Sequence, residues 1–126
     1  MPGYFLISNE YPLPSDEIGS YPYKVVVIVN EYTQSSAEDH TFFYCLAPQV
    51  TIIGSKTAAA NGAIFSFPLP GGIITSMTGI GVYYPDGTCM QRTGVRIDEE
   101  IKPTIDGIKK GKDEPLERAI EIVKGK

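Results

Sequence analysis

The feature that most constrains the fold is a short apolar run, "KVVVIVN", over Lys24–Asn30. It is rich in β-branched residues and lacks polar alternation, which is typical of a strand buried on both faces and therefore parallel to its neighbours. Apolar residues at helical spacing follow over Ser36–Leu46, and a second buried strand is predicted over Val50–Gly54. A strand, a helix and a parallel strand in this order predict an α/β fold.

Three segments of alternating character follow, separated by the turn sequences "PGG" and "PDG". They predict an antiparallel β-meander with strands Ile64–Pro68, Gly72–Met77 and Gly79–Tyr84. A last strand is expected over Ile97–Ile101. The final segment, "DEPLERAIEIVKGK", has an acidic first turn, a proline near its start and apolar residues on one side, so it predicts an amphipathic C-terminal helix.

The length of 126 residues allows one domain at most. Residues 1–23 contain four prolines and four tyrosines with little periodicity, which indicates an irregular arm with a short extended piece at Tyr4–Ile7. We therefore expect the folded domain over residues 24–126. No apolar run approaches the roughly 20 residues needed to span a bilayer, and no secretory signal is visible at the N-terminus.

Charge and metal-ligand content argue against two kinds of partner. The net charge is −4 and the lysines at 109–112 lie among acidic residues, so a nucleic-acid partner is not expected. His40 is the only histidine, and Cys45 and Cys89 do not form a CxxC pair, so we expect no metal site and no other cofactor. The spacing of the two cysteines leaves a disulfide between them open.

The sequence "SSAE" after the first strand allows two interpretations. Ser35 and Glu38 fit a capping box, in which a serine at the N-cap and a glutamate three residues later satisfy each other's backbone donors. The same position, at the carboxyl end of a buried strand and the start of a helix, also suits a serine nucleophile. The free N–H groups of the helix would then stabilise an oxyanion. These residues alone leave both interpretations open.

Five segments in series carry a family resemblance: "VVVIVNEYTQSSAED", "TIIGSKTAAANG", "LPGG", "GVYYPDGTCMQRTGV" and "DEPLERAIEIV". Their order and spacing resemble the tail-specific, or C-terminal processing, proteases, which are serine peptidases of family S41. The resemblance runs from Lys24 to Val123 and is closest to divergent members from Bacteroidetes-type bacteria. It implies a ClpP/crotonase-like core, a polypeptide substrate and an acyl-enzyme mechanism.

The resemblance assigns roles to individual residues. The family's nucleophile lies three positions before a glutamate, which is Ser35 here, and the backbone of Ser36 would supply one oxyanion donor. Ser36 is the alternative nucleophile. Gln91 matches a position that holds a carboxylate in the tricorn-like branch and glutamine in other members, where it could orient a neighbour or bind substrate.

The general base is where this chain departs from the family. Ala60 stands where the Ser–Lys members have their lysine, and a methyl group cannot accept a proton. Lys56 lies earlier in the same loop and is expected to reach solvent, while His40 is expected to point away from Ser35 along the helix. The resemblance therefore implies a histidine base from a preceding part of the core, as in the tricorn-like branch.

These departures lead to expectations about the whole protein. Residues 24–126 correspond to the C-terminal part of the catalytic core, so the isolated chain should be inactive, and its first strand should pair with an N-terminal core segment or with a second copy. The family implies a periplasmic or cell-surface parent protein. The alternative function is that of a non-catalytic S41-like domain that binds peptides or assembles, with Ser35 only a helix cap.

Overall fold

The computed structural model describes residues 21–125. Residues 1–20, which contain most of the predicted irregular arm and the extended piece predicted at Tyr4–Ile7, lie outside the described residues. The elements in chain order are β1 (Val25–Val29), α1 (Ser36–Tyr44), β2 (Val50–Gly54), β3 (Ile64–Pro68), β4 (Ile74–Thr78), β5 (Glu99–Glu100), α2 (Ile105–Lys109) and α3 (Glu114–Val123). This order confirms the predicted α/β class.

The first sheet consists of three parallel strands in the order β1-β2-β5. The register of β1 and β2 runs from Val25 opposite Val50 to Val29 opposite Gly54, so the carboxyl ends of both strands lie at the same edge. β5 adds only two residues to β2. The predicted parallel pairing of the first two strands is confirmed, and β1 is an edge strand within residues 21–125.

The core forms where β2 meets α3 and the segment around Met90. Ile52, Ile53 and Met90 are at most 1% exposed. α3 packs against β1 and β2 and buries Pro115 and Ala119. Asp113 caps this helix, because its side chain accepts a hydrogen bond from the Leu116 N–H at 3.0 Å. The predicted C-terminal helix is thus confirmed.

The prediction of a three-stranded meander is wrong in its third strand. β3 and β4 form an antiparallel hairpin, but Gly79–Tyr84 adds no strand and only an isolated bridge joins Tyr83 to Cys89. The Gln91 side chain explains this, because it accepts from the Val82 N–H and donates to the Ile80 carbonyl. A side-chain amide therefore satisfies backbone groups that a neighbouring strand would otherwise have paired.

Other boundaries differ by a few residues. β4 begins at Ile74 rather than Gly72, because Gly71 and Gly72 both have positive φ and form the turn. The last predicted strand shortens to Glu99–Glu100.

The structure also contains a short helix, α2, that the sequence analysis did not predict. Thr104 caps α2, since its hydroxyl accepts from the Gly107 N–H at 3.0 Å. Across residues 21–125, none of the helices combines the length and the apolar character that crossing a bilayer requires.

The predicted apolar face of α1 is only partly buried. Glu38 and Thr41 are its buried residues, whereas Phe43 and Tyr44 are about half exposed. The helix ends at Tyr44, so Leu46, the end of the predicted helical segment, lies beyond it and is also about half exposed. Phe42 packs edge-on against Tyr84, with ring centroids 5.1 Å apart. The inner face of α1 is therefore polar at its N-terminal end, which is the end next to Ser35.

Candidate active site

Ser35 lies where the chain turns from the carboxyl edge of the parallel sheet into α1. Its backbone has φ 54° and ψ −121°, and the residue is exposed. A non-glycine residue rarely adopts a positive φ, and holding it there costs roughly 1–3 kcal/mol. A strained strand-to-helix turn also exposes the serine nucleophile of the α/β-hydrolases. The turn therefore presents the side chain of Ser35 at the sheet edge where α/β proteins bind ligands.

The capping box predicted at this turn is present, with one hydrogen bond that is well defined. Glu38 Oε2 accepts from the Ser35 N–H at 3.3 Å. The Glu38 N–H faces Ser35, but it donates to the Ser35 carbonyl oxygen at 2.8 Å rather than to a well-placed hydroxyl. N-cap residues usually have extended backbones, which Ser35 does not. Capping alone thus does not account for the conformation of Ser35.

Ser36 is the first residue of α1, so its N–H is one of the backbone donors that an α-helix leaves without an internal acceptor. In the described part of the chain this N–H has no hydrogen-bond partner. The positive end of the helix dipole lies at the same place. A donor directly after a candidate nucleophile, at a helix N-terminus, can stabilise an oxyanion.

Glu38 is fully buried and organises the surroundings of Ser35. One oxygen of its carboxylate accepts from the Thr57 hydroxyl at 2.5 Å and the Ala59 N–H at 2.9 Å. The other accepts from the Ala60 N–H at 3.0 Å as well as from Ser35. The loop after β2 is therefore fixed against the start of α1.

The candidate bases are not placed against the Ser35 hydroxyl. Ala60 is exposed and only its backbone faces Glu38. Lys56 Nζ donates to the Arg92 carbonyl oxygen at 3.3 Å, and His40 is exposed on α1. Within residues 21–125, no side chain forms a hydrogen bond to the Ser35 hydroxyl. Neither Lys56 nor His40 is therefore positioned as its general base.

Both the nitrogen and the oxygen of the Gln91 side-chain amide form hydrogen bonds. Its amide nitrogen donates to the carbonyl oxygens of Asn61 (2.9 Å) and Ile80 (2.8 Å). Its amide oxygen accepts from the Val82 N–H at 3.0 Å and the Cys89 thiol at 3.2 Å. These contacts join the end of the Ala58–Asn61 loop to the segment after β4. With both donors and the acceptor occupied, the role of Gln91 in this arrangement is to hold backbone segments together.

Two residues of this site, Thr57 and Gly94, were not predicted from the sequence. The Thr57 hydroxyl, while donating to Glu38, accepts from the Val95 N–H at 3.1 Å. Gly94 has φ +84°, and a Cβ at this position would lie 2.6 Å from Thr57 Oγ1. The motif "TGV" in a segment otherwise free of regular structure was the available signal, since a buried glycine often marks a close approach.

A cleft lies at the C-terminal end of α1, the end away from Ser35. It has a volume of about 400 Å³ and is lined in part by Cys45, Tyr84, Arg96 and Asp98. The Arg96 guanidinium lies 4.1 Å from the centre of the Tyr84 ring. Burial, with a further contribution from the Asp98 charge, raises the pKa of the Cys45 thiol. This cleft is separated from Ser35 by the length of α1, about 13 Å.

The fold is that of an α/β domain, and comparison with known proteins gives its family. The model of peptidase family S41 matches residues 8–101, more than half of the chain. The chain belongs to this family. A search among curated proteins gives no match.

Solved structures agree with this assignment. A candidate peptidase from Parabacteroides merdae superposes with a TM-score of 0.77 at 29% identity, over 87% of this chain and 34% of its own. Mature CPAF gives a TM-score of 0.64 at 25% identity, over 80% of this chain and 19% of its own. Mature CPAF complexed with lactacystin gives a TM-score of 0.69 at 22% identity, over 86% of this chain and 21% of its own. The chain thus spans about a third of the Parabacteroides merdae protein and about a fifth of CPAF.

Proposed function

We propose that this chain supplies the nucleophile of a serine peptidase and that Ser35 is that nucleophile. The observation that supports this most strongly is the backbone of Ser35, φ 54° and ψ −121°, at an exposed strand-to-helix turn. The neighbouring Ser36 N–H has no hydrogen-bond partner within residues 21–125. Membership of family S41 supports peptide-bond hydrolysis as the reaction. The substrate in this proposal is a polypeptide.

In the proposed reaction, Ser35 Oγ attacks the carbonyl carbon of the scissile peptide bond. A new C–O bond forms, the hydroxyl proton passes to a general base, and the oxyanion is stabilised by the Ser36 N–H together with a second donor. The base returns the proton to the amine as the C–N bond breaks, which leaves an acyl-enzyme. Water, deprotonated by the same base, then hydrolyses the ester and restores Ser35.

The base in this proposal comes from outside residues 21–125. Lys56, the only lysine in the loop that follows β2, is turned toward Arg92, and Ala60 occupies the position of the family's lysine. The chain spans about a third of the Parabacteroides merdae protein, so a large part of a comparable core would be available to supply a histidine. The isolated chain is accordingly expected to be inactive.

A fluorophosphonate probe tests the assignment. The natural protein that contains this sequence is incubated with the probe and examined by intact mass and peptide mapping, beside Ser35→Ala and Ser36→Ala. We expect one adduct on the wild-type protein and on Ser36→Ala, and none on Ser35→Ala. An adduct that maps to Ser36, or persists in Ser35→Ala, would transfer the role of nucleophile to the neighbouring hydroxyl.

A second candidate function is supported by Ala60 and Gln91. A methyl group replaces the family's lysine, and the amide of Gln91 is fully engaged with backbone groups. Under this alternative, Ser35 caps α1 and the domain binds peptides or takes part in assembly without cleaving them. A folded wild-type protein that gives no fluorophosphonate adduct on Ser35 would favour this function.

β1 is the edge strand of its sheet within residues 21–125, and this supports a further part of the proposal, which concerns assembly. Ile28 of β1 is 43% exposed, and with Val26 it borders an apolar cleft completed by Leu116, Ile120 and Val123 of α3. An exposed edge strand beside apolar side chains favours pairing with another strand. We propose that this strand comes from an upstream core segment or a second copy. We also propose that the parent protein is exported to the periplasm or cell surface.

A further inference from the structure

Glu38 is fully buried and yet has no ion-pair partner within residues 21–125. Among residues 21–125 its partners are hydrogen-bond donors, and none of the ion pairs includes it. A buried carboxylate without such partners would be strongly destabilising. The four donors that stabilise Glu38 also fix the position of the groups that carry them.

The four donors fit an ionised carboxylate. Three are backbone N–H groups, those of Ser35, Ala59 and Ala60, and the fourth is the Thr57 hydroxyl. A carboxylate has about four lone-pair sites and no proton to donate, so each oxygen accepts two of these bonds. The position of Glu38 in the first turn of α1 adds the favourable field of the helix N-terminus.

Glu38 also connects the strained residues of the structure. In residues 21–125 the non-glycine residues with positive φ are Ser35, Ala59 and Arg92. Ser35 and Ala59 both donate their N–H to Glu38, and the Arg92 N–H donates to the Ala59 carbonyl oxygen at 3.0 Å. Strained backbone persists only where its surroundings over-determine it. A single carboxylate is the common point of this network.

We infer that Glu38 is a positioning residue, whose carboxylate holds Ser35 in its strained conformation and fixes the loop of Thr57–Ala60 beside it. This inference rests on the proposed role of Ser35 as nucleophile. The Glu38 carboxylate bonds to Ser35 only through the Ser35 backbone N–H. Its contribution is to preorganise the attack, which makes it a determinant of the rate of the covalent step rather than of substrate binding.

The test measures how fast Ser35 reacts once the probe is bound. Fluorophosphonate inactivation of the natural protein is followed over a range of probe concentrations, which separates the maximal rate, kinact, from the half-saturating concentration, KI. For Glu38→Gln we expect kinact to fall at least tenfold with KI unchanged. Gln can accept at one oxygen only and places its NH₂ group against N–H donors, so at least two of the four bonds are lost.

Asp39→Asn is the matched control. Asp39 lies in the same turn and accepts a hydrogen bond from Asn61 Nδ2 at 2.5 Å, so it also links α1 to the loop. Its only hydrogen bond to Ser35 is from its backbone N–H to the Ser35 carbonyl oxygen at 3.1 Å, which Asp39→Asn leaves in place. We expect its kinact to stay within about twofold of wild type. Glu38→Asp keeps the charge on a shorter side chain and should recover part of the rate lost in Glu38→Gln, which a general loss of stability would not predict.

Each result separates this inference from the proposal on which it rests. A folded Glu38→Gln protein with wild-type kinact overturns the positioning role and leaves Ser35 as the nucleophile. If the unsubstituted protein is not labelled, both proposals fail. If Glu38→Gln does not fold, Thr57→Val decides the question, because it removes one donor to Glu38 at similar volume. We expect about a threefold fall in kinact, and a folded Thr57→Val protein with wild-type kinact overturns the inference.

Discussion

Gly54 and Val29 approach each other so closely that a Cβ on Gly54 would lie 1.9 Å from the Val29 carbonyl oxygen. The two residues are paired at the ends of β2 and β1, and the Ser55 N–H donates to the same carbonyl at 3.0 Å. Gly54 also has φ +127°, which side chains rarely permit. Because the chain runs from Val29 to Ser35 through a short turn, this contact sets where the serine turn begins.

Substitution of Gly54 by alanine should therefore destabilise the protein by at least about 3 kcal/mol, from backbone strain and overpacking together. Chemical denaturation of the natural protein measures the free energy of unfolding. Gly111→Ala is the control, because Gly111 has φ +69° but open space around its Cβ position. It should cost only about 1 kcal/mol. Equal losses for both variants would show that the close approach to Val29 is unimportant.

A second prediction concerns acid and the contact between α2 and α3. The Glu114 carboxylate accepts hydrogen bonds from the backbone N–H and the hydroxyl of Thr104, the cap of α2, and these bonds lower the pKa of Glu114 below its usual 4.5. A lowered pKa in the folded state favours folding when the group is ionised. Its contribution to stability is therefore present above about pH 4.5 and is lost as the pH falls through the folded-state pKa.

Glu114→Gln should accordingly lower the unfolding temperature at pH 7, and the difference from wild type should shrink as the pH falls below 4.5. Thermal unfolding followed by circular dichroism across this pH range measures the effect. Glu117→Gln, on an exposed position of the same helix, is the control and should show little change at any pH. A Glu114→Gln deficit that is independent of pH would mean that the carboxylate charge is not the cause.

A third prediction concerns the thiols. Cys45 and Cys89 are both free in the structure. Burial and the nearby Asp98 charge raise the pKa of Cys45, so its thiolate fraction at neutral pH is small and its reaction with a thiol reagent should be slow. Stopped-flow measurement with DTNB should find two reactive thiols, one of which is absent from Cys45→Ser. The rate assigned to Cys45 should still be rising at pH 9, and a plateau at pH 8 would contradict the raised pKa.

Local sequence signals predicted the elements that depend on local patterns. The bounds of β2 and β3 agree with the prediction, and β1 differs by one residue at each end. These runs are rich in apolar and β-branched residues and are bounded by turn residues, so the pattern alone is sufficient. The N-cap at Ser35 was likewise predictable from the spacing of Ser35 and Glu38.

Features that depend on contacts between distant parts of the chain were not predictable in this way. Glu38 is bonded to Thr57, 19 residues later, and Gln91 to Asn61, 30 residues earlier. Neither pairing leaves a periodic signal, so the sequence identified Glu38 only as part of a cap and Gln91 only through family resemblance. The positive φ of Ser35 was also inaccessible, because serine has no intrinsic preference for that region.

Gln91→Glu tests whether this position can hold a carboxylate. The Gln91 amide nitrogen donates to two carbonyl oxygens, of Asn61 and Ile80, and a carboxylate could donate to neither. We expect a loss of roughly 1–3 kcal/mol in the free energy of unfolding, from two unsatisfied and mutually repelling contacts. Gln49→Glu is the control, since the Gln49 amide donates only one exposed hydrogen bond, to the Tyr21 carbonyl oxygen at 3.2 Å. The opposite result would be a Gln91→Glu protein that unfolds at the wild-type denaturant midpoint and in which Ser35 is labelled faster. It would show that the position accepts a carboxylate and that the amide is not needed to hold the two backbone segments together.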